Sequence, residues 1–79
     1  KGQEVKEVEL NTNIVDFAVN MGIASSKREA REFISSGAIS INGEKVTDLE
    51  KTIDQNMFIE NTYIVVKRGK KNYYIGKAK

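Results

Sequence analysis

Ser25-Ser26-Lys27-Arg28-Glu29-Ala30-Arg31-Glu32-Phe33-Ile34, a break at Gly37, and then Ala38-Ile39-Ser40-Ile41-Asn42-Gly43-Glu44-Lys45-Val46 carry a helix start, a helix stop and a hairpin turn within 22 residues. Ser26 followed three residues later by Glu29 is a capping box. The serine oxygen accepts from the amide of the third helical residue, and the glutamate reaches back to the serine amide. A helix therefore starts here. Ala30, Phe33 and Ile34 recur at i, i+3 and i+4 and give it one buried stripe, while Lys27, Arg28 and Arg31 fan out over the flank and far side. Gly37 falls where the chain turns left-handed to leave the helix, a conformation glycine adopts without a Cβ penalty. Ile39, Ile41 and Val46 then alternate around Asn42-Gly43. That dipeptide signals a hairpin, because both central residues of a type I′ turn need positive φ.

Upstream, Ile14, Phe17, Ala18 and Met21 repeat at i, i+3, i+4 and i+7, with Asn11, Thr12 or Asn13 as the cap and Gly22 as the stop. Only Ile23-Ala24-Ser25 separates the two helices, so they are expected to form a hairpin with a shared core. Lys1 to Leu10 shows no clean period and reads as a linker or edge segment, with residues 11–79 as the domain. Downstream, Thr47 to Gln55 is polar, with Leu49 and Ile53 as inward anchors, and Met57-Phe58-Ile59 is a short apolar run that fits either a strand or a helix. Thr62-Tyr63-Ile64-Val65-Val66 reads as a buried strand, and Asn72-Tyr73-Tyr74-Ile75 as its return partner. The expected class is α+β: a two-helix hairpin packed on a small, mostly antiparallel sheet.

Seventy-nine residues make one domain, which leaves no room for a deep catalytic cleft. The chain has no Cys, His, Trp or Pro. That removes disulfides, thiolate and imidazole chemistry, and every usual zinc ligand except carboxylates; no cofactor is implied. A reducing, cytoplasmic setting fits. No apolar run approaches the roughly 20 residues that span a bilayer. A start at Lys1 rather than Met suggests a domain cut from a longer protein, and terminal processing would give the same start. The net charge of +2 hides its distribution: residues 1–60 carry seven Lys or Arg against eleven Asp or Glu, whereas residues 61–79 carry six cations and no acid.

Lys67-Arg68-Gly69-Lys70-Lys71 joins the last two strands and is expected to place four charges at a hairpin tip. Such a run is often a solvated loop, and the cations of the basic helix are often an exposed face. Concentrated on two tips against an acidic remainder, they point instead to a polyanion. Phosphate contact with counterion release is the physical reading. A membrane surface fits less well, since neither helix sets large exposed apolar groups opposite its cations. A protein-interaction module facing an acidic partner stays open. Tyr63, Tyr73 and Tyr74 invite base stacking, but packing in the core or at its rim is the expected role, with the adjacent pair on opposite faces. Ser25, Ser26 and Ser35 have no base to activate them. Asp48, Glu50 and Asp54 lack the glycine and terminal glutamate of a calcium loop.

Ile14 to Val46, above all Met21 to Arg31 with Ser40 to Val46, resembles the RNA-binding domain named after small-subunit ribosomal protein four. Tyr63-Ile64-Val65-Val66-Lys67-Arg68-Gly69-Lys70-Lys71-Asn72-Tyr73-Tyr74 narrows the resemblance to the C-terminus of bacterial tyrosyl-tRNA synthetases. The wider family often opens its first helix with Arg-Leu-Asp. Here Asn13-Ile14-Val15 stands at that place, which fits the synthetase branch better than a ribosome-associated or pseudouridine synthase relative. The resemblance implies a monomeric, non-catalytic appendage that docks on the long variable arm and anticodon stem of tyrosine tRNA, with catalysis left to another domain of the parent chain. It implies as RNA contacts Ser26, Lys27, Arg28 and Arg31 on the helix, Lys67, Arg68, Lys70 and Lys71 on the second hairpin, and Lys45 more weakly.

Overall fold

The computed structural model describes residues 5–78; Lys1 to Glu4 of the amino-terminal segment and Lys79 of the basic tail lie outside them. The elements run β1 (Val5–Val8), β2 (Thr12–Asn13), α1 (Ile14–Asn20), α2 (Lys27–Ser35), β3 (Ile39–Ile41), β4 (Glu44–Lys45), β5 (Thr52–Ile53), a 3₁₀ turn (Gln55–Met57), β6 (Tyr63–Arg68) and β7 (Asn72–Ala78).

Local chemistry accounts for the helix ends. Asn13 caps α1 through its Oδ1, which accepts from the Val15 amide at 2.8 Å. Ser26 caps α2, its Oγ accepting from the Glu29 amide at 3.1 Å. The second half of the capping box is displaced by one residue: Glu29 Oε1 accepts from the Ser25 amide at 2.7 Å and from the Ser25 hydroxyl at 3.0 Å, rather than from the Ser26 amide. Gly22 and Gly37 leave α1 and α2 with φ of 79° and 78°. Asn42 and Gly43 hold φ of 52° and 91°, the positive pair a type I′ turn requires.

The main sheet has the order β1-β7-β6-β3-β4. Pairings within it are antiparallel except for β1, which runs parallel to β7 along one edge. A two-stranded antiparallel ribbon of β2 and β5 sits apart from it. Both helices pack on one face of the sheet, and the core between them is made by Ile14, Phe17, Ile34, Ile39, Ile64 and Val66, closed by Ile53. Phe33 of the α2 stripe is only half-buried, unlike Ala30 and Ile34. β6 is buried on one face alone, with Ile64 and Val66 inward and Tyr63 outward. The apolar run at 57–59 belongs to neither a strand nor a full helix: it ends the 3₁₀ turn, buries Phe58 and exposes Ile59. No helix of the described residues is long and apolar enough to cross a membrane.

Candidate nucleic-acid interface

Helix α2 carries the first group of cations. Lys27, Arg28 and Arg31 are all exposed, but they are not equivalent. Lys27 Nζ lies 3.2 Å from Asp16 of α1, so its charge is partly matched across the helix pair. Among the described residues Arg28 and Arg31 have no carboxylate within salt-bridge distance. Their guanidinium groups, three positions apart, share one side of the helix. Ser26 stands at the start of α2 with its hydroxyl oxygen taken up by the cap and its proton available to donate. The two bonds from Ser25, assisted by Arg68, hold the Glu29 carboxyl below its ordinary value of 4.5.

The second group divides in a way that linear sequence does not show. β6 extends through Arg68 and β7 begins at Asn72, so the tip is Gly69-Lys70-Lys71 and carries two charges rather than four. Lys67 and Arg68, being consecutive strand residues, point to opposite faces of the sheet. Arg68 turns toward the helices. Its Nη1 donates to the Ile23 carbonyl at 3.0 Å, and its guanidinium lies 5.1 Å from the centre of the Phe33 ring. It therefore ties the hairpin to the α1–α2 connection and is half-buried in doing so. The Gly69 amide adds a bond to the Ala38 carbonyl at 2.9 Å, just past the end of α2. These anchors bring the exposed Lys70 and Lys71 to the end of the molecule that carries α2.

Lys67 and Lys45 belong to the other face of the sheet. Lys45 pairs with Ser40, Ser40 with Lys67, and Lys67 with Tyr73, one continuous row across four strands. Lys67 Nζ sits 5.6 Å from the centre of the Tyr73 ring. The stem of Lys45 lies against Gly37, where an added Cβ would stand 2.9 Å from its Cδ. Tyr73 and Tyr63 are 46% and 45% exposed, which rules out the core for both and leaves them at its rim on the open face. Tyr74, on the opposite face, does pack against the core. Period-two alternation separates Tyr73 from Tyr74, but which of the two faces the helices depends on the pairing with β6.

The remaining polar candidates have structural roles. Ser25 and Ser26 serve the cap of α2, and the Ser35 hydroxyl donates to the Arg31 carbonyl at 2.7 Å. Asp48 accepts from the Glu50 amide at 2.9 Å, and Asp54 accepts from the Asn56 amide at 2.9 Å to cap the 3₁₀ turn. Among the described residues there is no cluster of three groups that could hold a metal ion.

Residues 2–76 match the family described as the tyrosine–tRNA ligase SYY-like C-terminal domain. A tyrosine–tRNA ligase of Leuconostoc citreum is 52% identical over 67 residues, covering 85% of this chain and 16% of its own length. That of Staphylococcus carnosus is 54% identical over 68 residues, covering 86% and 16%. The chain thus spans about a sixth of the length of these curated relatives. A solution structure of a tyrosyl-tRNA synthetase C-terminal domain superposes with a TM-score of 0.75 at 35% identity, covering 96% of this chain and 79% of that one. The α+β fold, its capped helix and its match along nearly the whole sequence agree, and the chain belongs to the tyrosine–tRNA ligase SYY-like C-terminal domain family.

Proposed function

We propose that this domain binds tyrosine tRNA for a tyrosine–tRNA ligase, docking on the long variable arm and anticodon stem through phosphates and groove shape. The observation that carries the reading is a pair of exposed cation groups with no carboxylate at salt-bridge distance among the described residues, one on each of two elements that Arg68 ties together. Arg28 and Arg31 lie on α2, and Lys70 and Lys71 lie on a tip that Arg68 and Gly69 anchor beside it. A-form RNA buries its base edges in a deep, narrow groove, so backbone contacts and 2′-hydroxyls are the accessible features. Lys27 adds charge at the start of the helix, where Ser26 donates to a phosphate favoured by the helix dipole. In this reading Arg68 positions the tip and makes no phosphate contact of its own. Tyrosine activation belongs to another part of the parent chain. The domain works as a monomeric appendage in the cytoplasm, its affinity raised by tethering to the catalytic part.

The test is a titration with bacterial tyrosine tRNA, intact and with its variable arm trimmed, at two salt concentrations. The expected result is preference for the intact arm, with log affinity falling by about 0.7 to 0.9 per neutralised phosphate for each decade of salt. Arg28→Ala with Arg31→Ala, and Lys70→Ala with Lys71→Ala, should each flatten that slope by about one to two phosphates' worth. Equal binding to both RNAs would reject arm docking, and an unchanged slope in a folded double variant would remove that element from the interface.

A further inference from the structure

The face of the sheet turned away from the helices combines exposed rings with cations, and neither the fold's core nor the end-on cationic surface uses it. Strand register fixes its layout. The row Lys45, Ser40, Lys67, Tyr73 crosses four strands; the next outward-facing row is Val65, Ile75 and Val5; the one beyond is Tyr63, Lys77 and Glu7. Tyr73 and Tyr63 flank a floor of small aliphatic groups. Because Tyr63 pairs with Lys77, four residues along β7 from Tyr73, the two rings are about 13 Å apart along the strands. Among the described strand residues, register places Lys45, Lys67 and Lys77 on this face with one carboxylate, Glu7, which pairs with Lys77 at the β1 edge. Lysine is depleted from the centres of protein–protein interfaces. A positive surface with successive aromatic platforms is instead what holds unpaired nucleotides.

We propose that this face is a second RNA contact that stacks unpaired bases on Tyr73 and Tyr63, with Lys67, Lys45 and Lys77 taking the phosphates between and beside them. The two rings give two separate stacking platforms on one sheet face, and sheet aromatics of this kind hold about two or three splayed bases. Lys67 is already at the Tyr73 ring, 5.6 Å from its centre, so a base arriving there brings its phosphate to a cation in place. The inference rests on RNA as the partner and adds to it a division of labour: the α2 end meets duplex backbone, and the open face meets single strand.

The chain has no Trp and three Tyr, so its own emission reports stacking. The probes are octauridylate and an RNA duplex of equal length, titrated against the unsubstituted 79-residue domain as parent, Tyr73→Ala, Tyr63→Ala, the two combined, and Tyr73→Phe. Octauridylate should quench tyrosine emission in the parent. Tyr73→Ala should weaken it by about tenfold, Tyr63→Ala should weaken it further in the double variant, and Tyr73→Phe should retain affinity. Duplex binding should be indifferent to all of these substitutions. Thermal melts establish that the variants are folded, as expected for exposed positions. Binding of tyrosine tRNA without binding or quenching by octauridylate overturns this inference alone, and so does equal affinity of the parent and Tyr73→Ala. A face that docks on protein would give that same overturning result. Failure of the parent to bind any of the RNAs overturns both this inference and the tRNA reading beneath it.

Discussion

Asn42 does more than supply a turn. Its φ of 52° is one that asparagine tolerates better than any other residue except glycine. Its side chain also reaches out of the hairpin: Oδ1 accepts from the Val65 amide at 3.0 Å, and Nδ2 donates to the Met57 carbonyl. With its own amide bonded to the Val65 carbonyl at 2.8 Å, one residue staples the β3–β4 turn to β6 and to the end of the 3₁₀ turn. Asn42→Ala should therefore cost about 2–4 kcal/mol, from two lost hydrogen bonds plus the left-handed penalty. Asn42→Gly keeps the turn and should cost about 1 kcal/mol less in urea denaturation. Arg68 is a second residue whose structural role competes with a surface one. Losing its bond to the Ile23 carbonyl and its place over Phe33 should destabilise Arg68→Ala by about 1–3 kcal/mol. Arg68→Lys should restore little of it, because a lysine lacks the planar fork that donates and stacks at once. A melt of Arg68→Ala unchanged from that of the parent would return Arg68 to the list of free phosphate ligands.

At the scale of the element, α2 owes its start to Ser25, Ser26 and Glu29 acting together. The Glu29 carboxylate holds the Ser25 amide and hydroxyl, and its pKa is lowered from 4.5, so ionisation is favoured in the folded state. A group with a depressed folded pKa adds stability that is complete above its unfolded value and is lost as pH falls through the folded one. The melting temperature of the parent should exceed that of Glu29→Gln at about pH 7, and the gap should shrink as pH falls below the ordinary carboxylate value. A gap that stays constant down to the acid limit would mean the amide serves the cap equally well. Most of this element was legible from the sequence, because serine, glutamate and the apolar stripe lie within a single turn of one another. The displacement of the glutamate's partner from Ser26 to Ser25 was not. It depends on how the chain arrives from α1, and Arg68 stands close enough to add its field.

For the molecule as a whole, the parallel pairing of β1 with β7 is what seals the sheet's far edge, and Gly76 is where it closes. Gly76 is buried, and an added Cβ would lie 2.6 Å from Val8 Cγ2 and 2.9 Å from Ile64 Cγ2, with Met21 Sδ at 3.4 Å. β1, β6 and α1 thus converge on a position that admits no side chain. Gly76→Ala should cost about 1–3 kcal/mol through overpacking, read as a drop of several degrees in the melting midpoint. Val8→Ala, by opening space at the same seam, should recover part of that loss in the double variant, whereas strictly additive losses would mean the two do not share the contact. Local sequence was enough for both helices, the Ser26 cap of α2, the stops at Gly22 and Gly37 and the Asn42-Gly43 turn, whereas the cap of α1 stayed open among Asn11, Thr12 and Asn13 until the structure showed Asn13. The features read locally rest on forces between residues a few positions apart. Local sequence also determined that cations gather in α2 and in the last hairpin. Where those cations point depends on contacts far apart in the chain. Arg68 reaches a carbonyl 45 positions away, Lys67 joins a row that starts at Lys45, and Tyr63 and Tyr73, expected in the core or at its rim, stay out of the core. Those outcomes follow from strand register, which assigns every side chain of β6 and β7 to one face or the other and is set by the packing of the whole core.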